Sequence, residues 1–162
     1  MKEFNGPLFV VGKPRSGTKL LIGLLNTHPL LSLNITELWF VPNFIKRWSN
    51  YDNLKDEKTF HKLYYNFVKT SFFILEKKKG KVIKEKQLYN LCQNCKISEI
   101  LEQLLKYYSN KKKGEIIWGG KSTNFLKNYK TIKNCFDNAK FIHIIRDVRD
   151  AGLSSYKVWN KN

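Results

Sequence analysis

Pro7-Leu-Phe-Val-Val-Gly-Lys-Pro-Arg-Ser-Gly-Thr-Lys-Leu-Leu21 is the stretch that decides the fold. Its first part, Pro7 to Val11, is a short apolar run rich in β-branched residues, which predicts a buried strand. Gly12 to Gly17 carries two glycines and a proline and predicts a tight loop. Thr18 to Asn26 spaces its leucines along one helical face and predicts a helix. A strand, a glycine loop and a helix N-terminus in succession build an anion cradle. The first backbone N–H groups of the helix have no intrahelical partner, and the helix dipole adds partial positive charge at the same place. The expected ligand group is a phosphate.

The loop differs from the common nucleoside-triphosphate pattern, in which a lysine and then a hydroxyl residue follow the second glycine of G-x-x-x-x-G. Gly12 and Gly17 have that separation, but Thr18 follows Gly17 and the lysine comes one place late, at Lys19. The usual lysine and metal-anchoring hydroxyl are therefore missing from their places. Arg15 stands inside the loop instead.

A second motif works outward from the first. Lys140 to Ile145 predicts another apolar strand, and it ends in Arg146-Asp-Val-Arg-Asp150. Ala151-Gly-Leu-Ser-Ser-Tyr156 then has helical character. A strand end delivers Arg146 to the carboxyl edge of a sheet, where open α/β folds hold ligands. Arg146 and Ser154 are eight residues apart, so a guanidinium fork and a hydroxyl can converge on one phosphate. Lysine and arginine together number 30, yet only Arg15, Arg47, Arg146 and Arg149 are arginine. Three of these four fall in the two motifs. A chain that uses lysine for general charge and arginine here is selecting the bidentate fork. Arg149 is expected to pair with Asp147 or Asp150 on the surface.

Pro14-Arg-Ser-Gly-Thr18 and Ile145-Arg-Asp-Val-Arg-Asp-Ala-Gly-Leu-Ser-Ser155 resemble the two signature loops of the sulfotransferases that use 3′-phosphoadenosine 5′-phosphosulfate (PAPS). Thr27-His-Pro-Leu, Lys121 and Asn138-Ala-Lys-Phe141 fit the tyrosylprotein and carbohydrate branch more closely. The resemblance implies that Lys13, Pro14, Arg15, Ser16, Gly17, Thr18 and Lys19 hold the 5′-phosphosulfate end, and that Arg146 and Ser154 hold the 3′-phosphate. It implies sulfuryl transfer to a hydroxyl or amine of a protein tyrosine, a carbohydrate or a small molecule. Arg15, Glu37 and Lys121 are the expected catalytic residues. Arg15 and Lys121 would face the transferring group, and Glu37 would take the acceptor proton. His28 is the alternative base, though its place in Thr27-His-Pro favours a turn-shaping role. The chain departs from the family at Lys19 and in its short length, and it reads as a member lacking the C-terminal part of the fold. Two rivals stay open. One is a kinase-like nucleotide binder, and the other a non-catalytic module that binds a nucleotide or polyanion.

Composition agrees with one domain over residues 1–162, since 42% of residues are hydrophobic and 14% aromatic, too many for a disordered chain. The net charge of +17 attracts polyanions in general. Lysine runs at 77–79 and 111–113 carry part of it, but no nucleic-acid motif accompanies them, so no specific nucleic-acid partner is expected. No apolar run is long enough to span a bilayer, and no signal-like segment opens the chain, so a cytoplasmic protein is expected. Cys92 and Cys95 form a single C-x-x-C without a second ligand pair, and no metal is expected.

The middle of the chain reads as helical. Trp39 to Trp48 predicts a helix interrupted at Pro42. Lys58 to Leu75 predicts one helix, Gly80 to Asn90 a charged connector, Ile97 to Tyr108 a helix, and Tyr129 to Phe136 a short one. Ile116 to Trp118 predicts a strand ending at Gly119-Gly-Lys-Ser122. Strands alternating with helices predict an α/β fold, a P-loop-like parallel sheet with helices on both faces.

Overall fold

The computed structural model describes residues 4, 6–51, 53–109 and 117–159. The lysine run at 111–113 and Ile116 lie outside these. Four strands, β1 (Leu8–Gly12), β2 (Leu31–Asn34), β3 (Ile117–Lys121) and β4 (Lys140–Ile144), form one parallel sheet in the order β2-β3-β1-β4. The register sets Val10 beside Lys121 and Gly12 beside Ile144. Eight α-helices accompany the strands among the described residues: α1 (Thr18–Leu25), α2 (Phe40–Trp48), α3 (Glu57–Val68), α4 (Ser71–Lys78), α5 (Glu85–Leu91), α6 (Ile97–Tyr108), α7 (Tyr129–Cys135) and α8 (Val148–Trp159). The expected α/β architecture is the observed one.

Alternation along β1 explains why both faces are covered. Phe9 and Val11 point into the larger core, with Trp118, Leu38 and the leucines of α6. Val10 points the other way, into a smaller cluster with Ile22 of α1 and Leu33 of β2. Successive side chains of a strand face opposite sides, so a central strand buried on both faces must be apolar throughout, as this one is.

Several boundaries differ from the sequence expectation. Pro42 does not interrupt α2; it is the third residue of the helix, where its missing N–H would have had no partner anyway. The single helix expected over 58–75 is two. Thr70 starts α4 by accepting from the Phe73 N–H at 3.2 Å, a capping bond that competes with continuation of α3. The charged connector contains α5. Strand β2 is an element the apolar pattern did not reveal, because Ser32 and Asn34 are polar yet buried. Asn34 is satisfied there by donating through Nδ2 to the carbonyls of Leu105 and Gly119, both at 2.9 Å. Strand β3 continues through Gly119 and Gly120 instead of stopping at them. A Cβ on Gly119, whose φ is +143°, would sit 2.1 Å from the Leu8 carbonyl oxygen. Only glycine lets β3 lie this close to β1.

The strand order has a direct consequence for function. All four strands run the same way, so the segments after them gather at one edge of the sheet. Strand β1 lies between β3 and β4. The loop after β1 is therefore flanked by the end of β3 on one side and the end of β4 on the other, the kind of crevice where α/β sheets place ligands.

Candidate functional site

The loop after β1 opens its backbone toward that crevice. Arg15 has φ +69° and Gly17, the N-cap of α1, has φ +93°. A left-handed N-cap favours glycine, and here no side chain caps the helix. The first N–H groups of α1 are thus left for a ligand. One expected donor is spent internally: the Ser16 N–H closes the loop onto the Lys13 carbonyl at 3.2 Å.

The two signature segments meet directly. The Arg15 Nε donates to the Ser154 Oγ at 3.0 Å, from the loop to the middle of α8. One terminal nitrogen of Arg146 donates to the Arg15 carbonyl at 3.1 Å. Two guanidinium groups and a hydroxyl so form one pole of the site. Asp150 lies 3.9 Å from the Arg146 Nε, a long and exposed contact that leaves most of the arginine charge uncompensated. Arg149 turns away and holds Asp147 through two side-chain bonds, at 3.1 and 2.7 Å. Those bonds keep the Asp147 carboxyl below its usual range. The surface role expected for Arg149 is the one observed.

A second pole forms at the ends of β2 and β3. Lys121, only 6% exposed, donates through its ammonium to the Glu37 Oε1. The Thr123 N–H donates to the Glu37 Oε2 at 3.3 Å, and the Leu38 N–H donates to the Lys121 carbonyl at 3.0 Å. A buried ammonium requires an anionic partner, and Glu37 is that partner. The pair joins residues 84 apart in sequence.

One cleft of about 850 Å³ contains both poles. Of the residues expected from sequence, Pro14, Arg15, Gly17, Thr18, Lys19, Glu37, Lys121, Arg146 and Ser154 line it. Lys13 is exposed outside it, and Ser16 is buried behind it. Sequence reasoning passed over Trp39 and Thr123, which also line it. Their only signal was position, two residues beyond Glu37 and Lys121 respectively. His28 does not line the cleft; its Nδ1 accepts from the Leu30 N–H at 3.2 Å, the turn-shaping role. A second cleft, about 900 Å³, opens between α3 and α5 around His61 and Glu85. It mixes charges of both signs and receives neither motif.

Away from the cleft, burial raises the Cys92 thiol to about 12 and the Cys135 thiol to about 11, so neither resembles a reactive thiolate. Among the described residues no three His, Cys, Asp or Glu side chains gather as a metal site, and no helix is long and apolar enough to cross a membrane.

In comparison with known proteins, the model described as the sulfotransferase family matches residues 7–162. No curated protein matches the chain.

Proposed function

Because the chain belongs to the sulfotransferase family, we propose that it moves a sulfuryl group from PAPS to a hydroxyl or amine bound in the 850 Å³ cleft. The observation that carries this reading is the convergence of both signature segments on one point, Arg15 on Ser154 and Arg146 on the Arg15 carbonyl. The residues fit a donor with phosphates at two positions. The uncapped N-terminus of α1 and Thr18 suit the 5′ end, and Arg146 with Ser154 suits the 3′-phosphate. When bound, PAPS supplies the sulfuryl group: its bond to the bridging phosphate oxygen breaks as the acceptor oxygen or nitrogen bonds to sulfur, and the electron pair leaves with the bisphosphate.

The residues of the chain do the rest. Arg15 places positive charge where negative charge grows on the leaving phosphate. Lys121 is drawn toward the same oxygens and away from Glu37. Glu37, at the same centre, takes the acceptor proton. The pre-formed ion pair thus keeps both groups at the reaction centre before substrates arrive. No step calls on a metal, in keeping with Lys19 standing where a metal-anchoring hydroxyl would be. We further take residues 1–162 as one folding domain, which predicts a single cooperative unfolding transition.

Calorimetry tests the reading. 3′,5′-Adenosine bisphosphate should bind more tightly than AMP or ATP, with or without Mg²⁺, and labelled PAPS should transfer sulfate to a panel of tyrosine peptides and glycans. Preference for ATP with Mg²⁺ would overturn it in favour of a kinase-like binder.

A further inference from the structure

The geometry points to Trp39 as the acceptor platform of this cleft, a flat surface that holds an aromatic ring whose hydroxyl sits at the Glu37–Lys121 pair. The inference rests on the sulfotransferase reading above and names the acceptor class within it.

Trp39 is 50% exposed, whereas Trp48 and Trp118 are 1% and 2% exposed and pack against other rings. The exposed indole is nevertheless held in place. Its Nε1–H donates to the Thr123 Oγ1 at 3.3 Å, and its carbonyl accepts from the Asn124 Nδ2 at 3.0 Å. Asn124 is itself fixed, accepting from the Ser122 Oγ at 2.7 Å. The polar edge of the indole is therefore satisfied, and among the described residues no ring and no cation packs on its faces. A tethered ring with an open face costs little entropy when a ligand stacks on it.

Its position supplies the function. Trp39 is two residues after Glu37, and its tether, Thr123, also donates through its N–H to Glu37. The indole and the proton-accepting carboxylate thus share one support. The same cleft also carries apolar surface: Ile35 and Leu24 are both exposed and line it with Trp39. A sugar brings several hydroxyls, each of which needs a partner when desolvated, and the Leu24 and Ile35 side chains offer none, whereas the polar lining residues Glu37, Lys121 and Thr123 gather at one end. A phenol brings one polar atom, which falls at the Glu37–Lys121 end, and a ring face that suits indole and aliphatic neighbours. This lining therefore favours an aromatic hydroxyl over a pyranose.

The test is calorimetric titration of the whole chain with 2-naphthol and, separately, with methyl β-N-acetylglucosaminide, each with and without 3′,5′-adenosine bisphosphate. The proteins are the native chain, Trp39→Phe and Trp39→Ala. Trp39→Ala should weaken 2-naphthol at least tenfold and Trp39→Phe less than threefold, while bisphosphate affinity stays the same in all three. Unchanged 2-naphthol binding in Trp39→Ala overturns the platform. So does Trp39→Phe binding as weakly as Trp39→Ala, or the sugar binding more tightly than the naphthol. Failure of the sulfotransferase reading appears separately, as absence of bisphosphate binding to the native chain. The naphthol arm without nucleotide still decides the role of Trp39. Both variants change an exposed side chain, and the thermal midpoint of each confirms that the fold is retained.

Discussion

Replacing Arg146 by alanine separates a nucleotide reader from a loop brace. The guanidinium makes one bond to the Arg15 carbonyl, at 3.1 Å, and is 41% exposed. The side chain lines the cleft, with the Asp150 carboxylate 3.9 Å from its Nε. A charge-assisted hydrogen bond contributes about 1.5–3 kcal/mol, and partial exposure places this one in the lower half, about 1.5–2 kcal/mol. At about 1.4 kcal/mol per decade, the expected loss is roughly 10- to 30-fold in affinity for 3′,5′-adenosine bisphosphate. Loss of the Arg15 brace loosens the loop for every ligand alike. AMP, which has no 3′-phosphate, reports that shared part and should weaken by less than about threefold, the order of one weak neutral hydrogen bond. Calorimetric titration of both ligands into native and Arg146→Ala protein gives the difference of the two losses. Equal losses would refute the assignment and reduce Arg146 to a structural contact of the loop.

Other perturbations follow from the same geometry. Arg15→Ala should lower kcat for sulfuryl transfer by roughly 10²–10³ with a modest change in nucleotide affinity, and Arg15→Lys should restore part of the rate, as steady-state assays with labelled PAPS would show. Glu37→Gln should lower kcat with little effect on the bisphosphate dissociation constant in calorimetry, because the acceptor proton is remote from the nucleotide. Nucleotide binding should survive EDTA, and its loss on chelation would favour a metal-dependent reading. Gly119→Ala should destabilise the fold by roughly 3 kcal/mol or more in urea titration, since the new Cβ would fall 2.1 Å from the Leu8 carbonyl oxygen. The Cys92 and Cys135 thiols, raised to about 12 and about 11, should react with a disulfide reagent at pH 8 far more slowly in native than in urea-unfolded protein, where their values fall back toward 9 and thiolate becomes available.

What the sequence by itself determined was what short range controls. The strand, loop and helix from Leu8 to Leu25 follow from an apolar run, two glycines and one helical stripe, all contiguous. Helix α6 begins and ends at the expected residues, Ile97 and Tyr108, because its leucine spacing is long and unambiguous. Arg15 and Arg146 stood out because arginine is scarce in a lysine-rich chain, and Ser154 because it follows Arg146 by eight residues. Strand β2 was not legible, since the burial of Ser32 and Asn34 depends on partners such as Leu105 and Gly119, far along the chain. Only the tertiary structure decided that Arg15 would meet Ser154, 139 residues away, and that Lys121 would meet Glu37. Local pattern sets which element a residue joins. The order β2-β3-β1-β4, fixed by which apolar faces bury one another, sets which loops share an edge. Trp39 shows the limit most clearly: an aromatic residue beside a helix start reads as core, and only packing reveals that its ring is left open in the cleft.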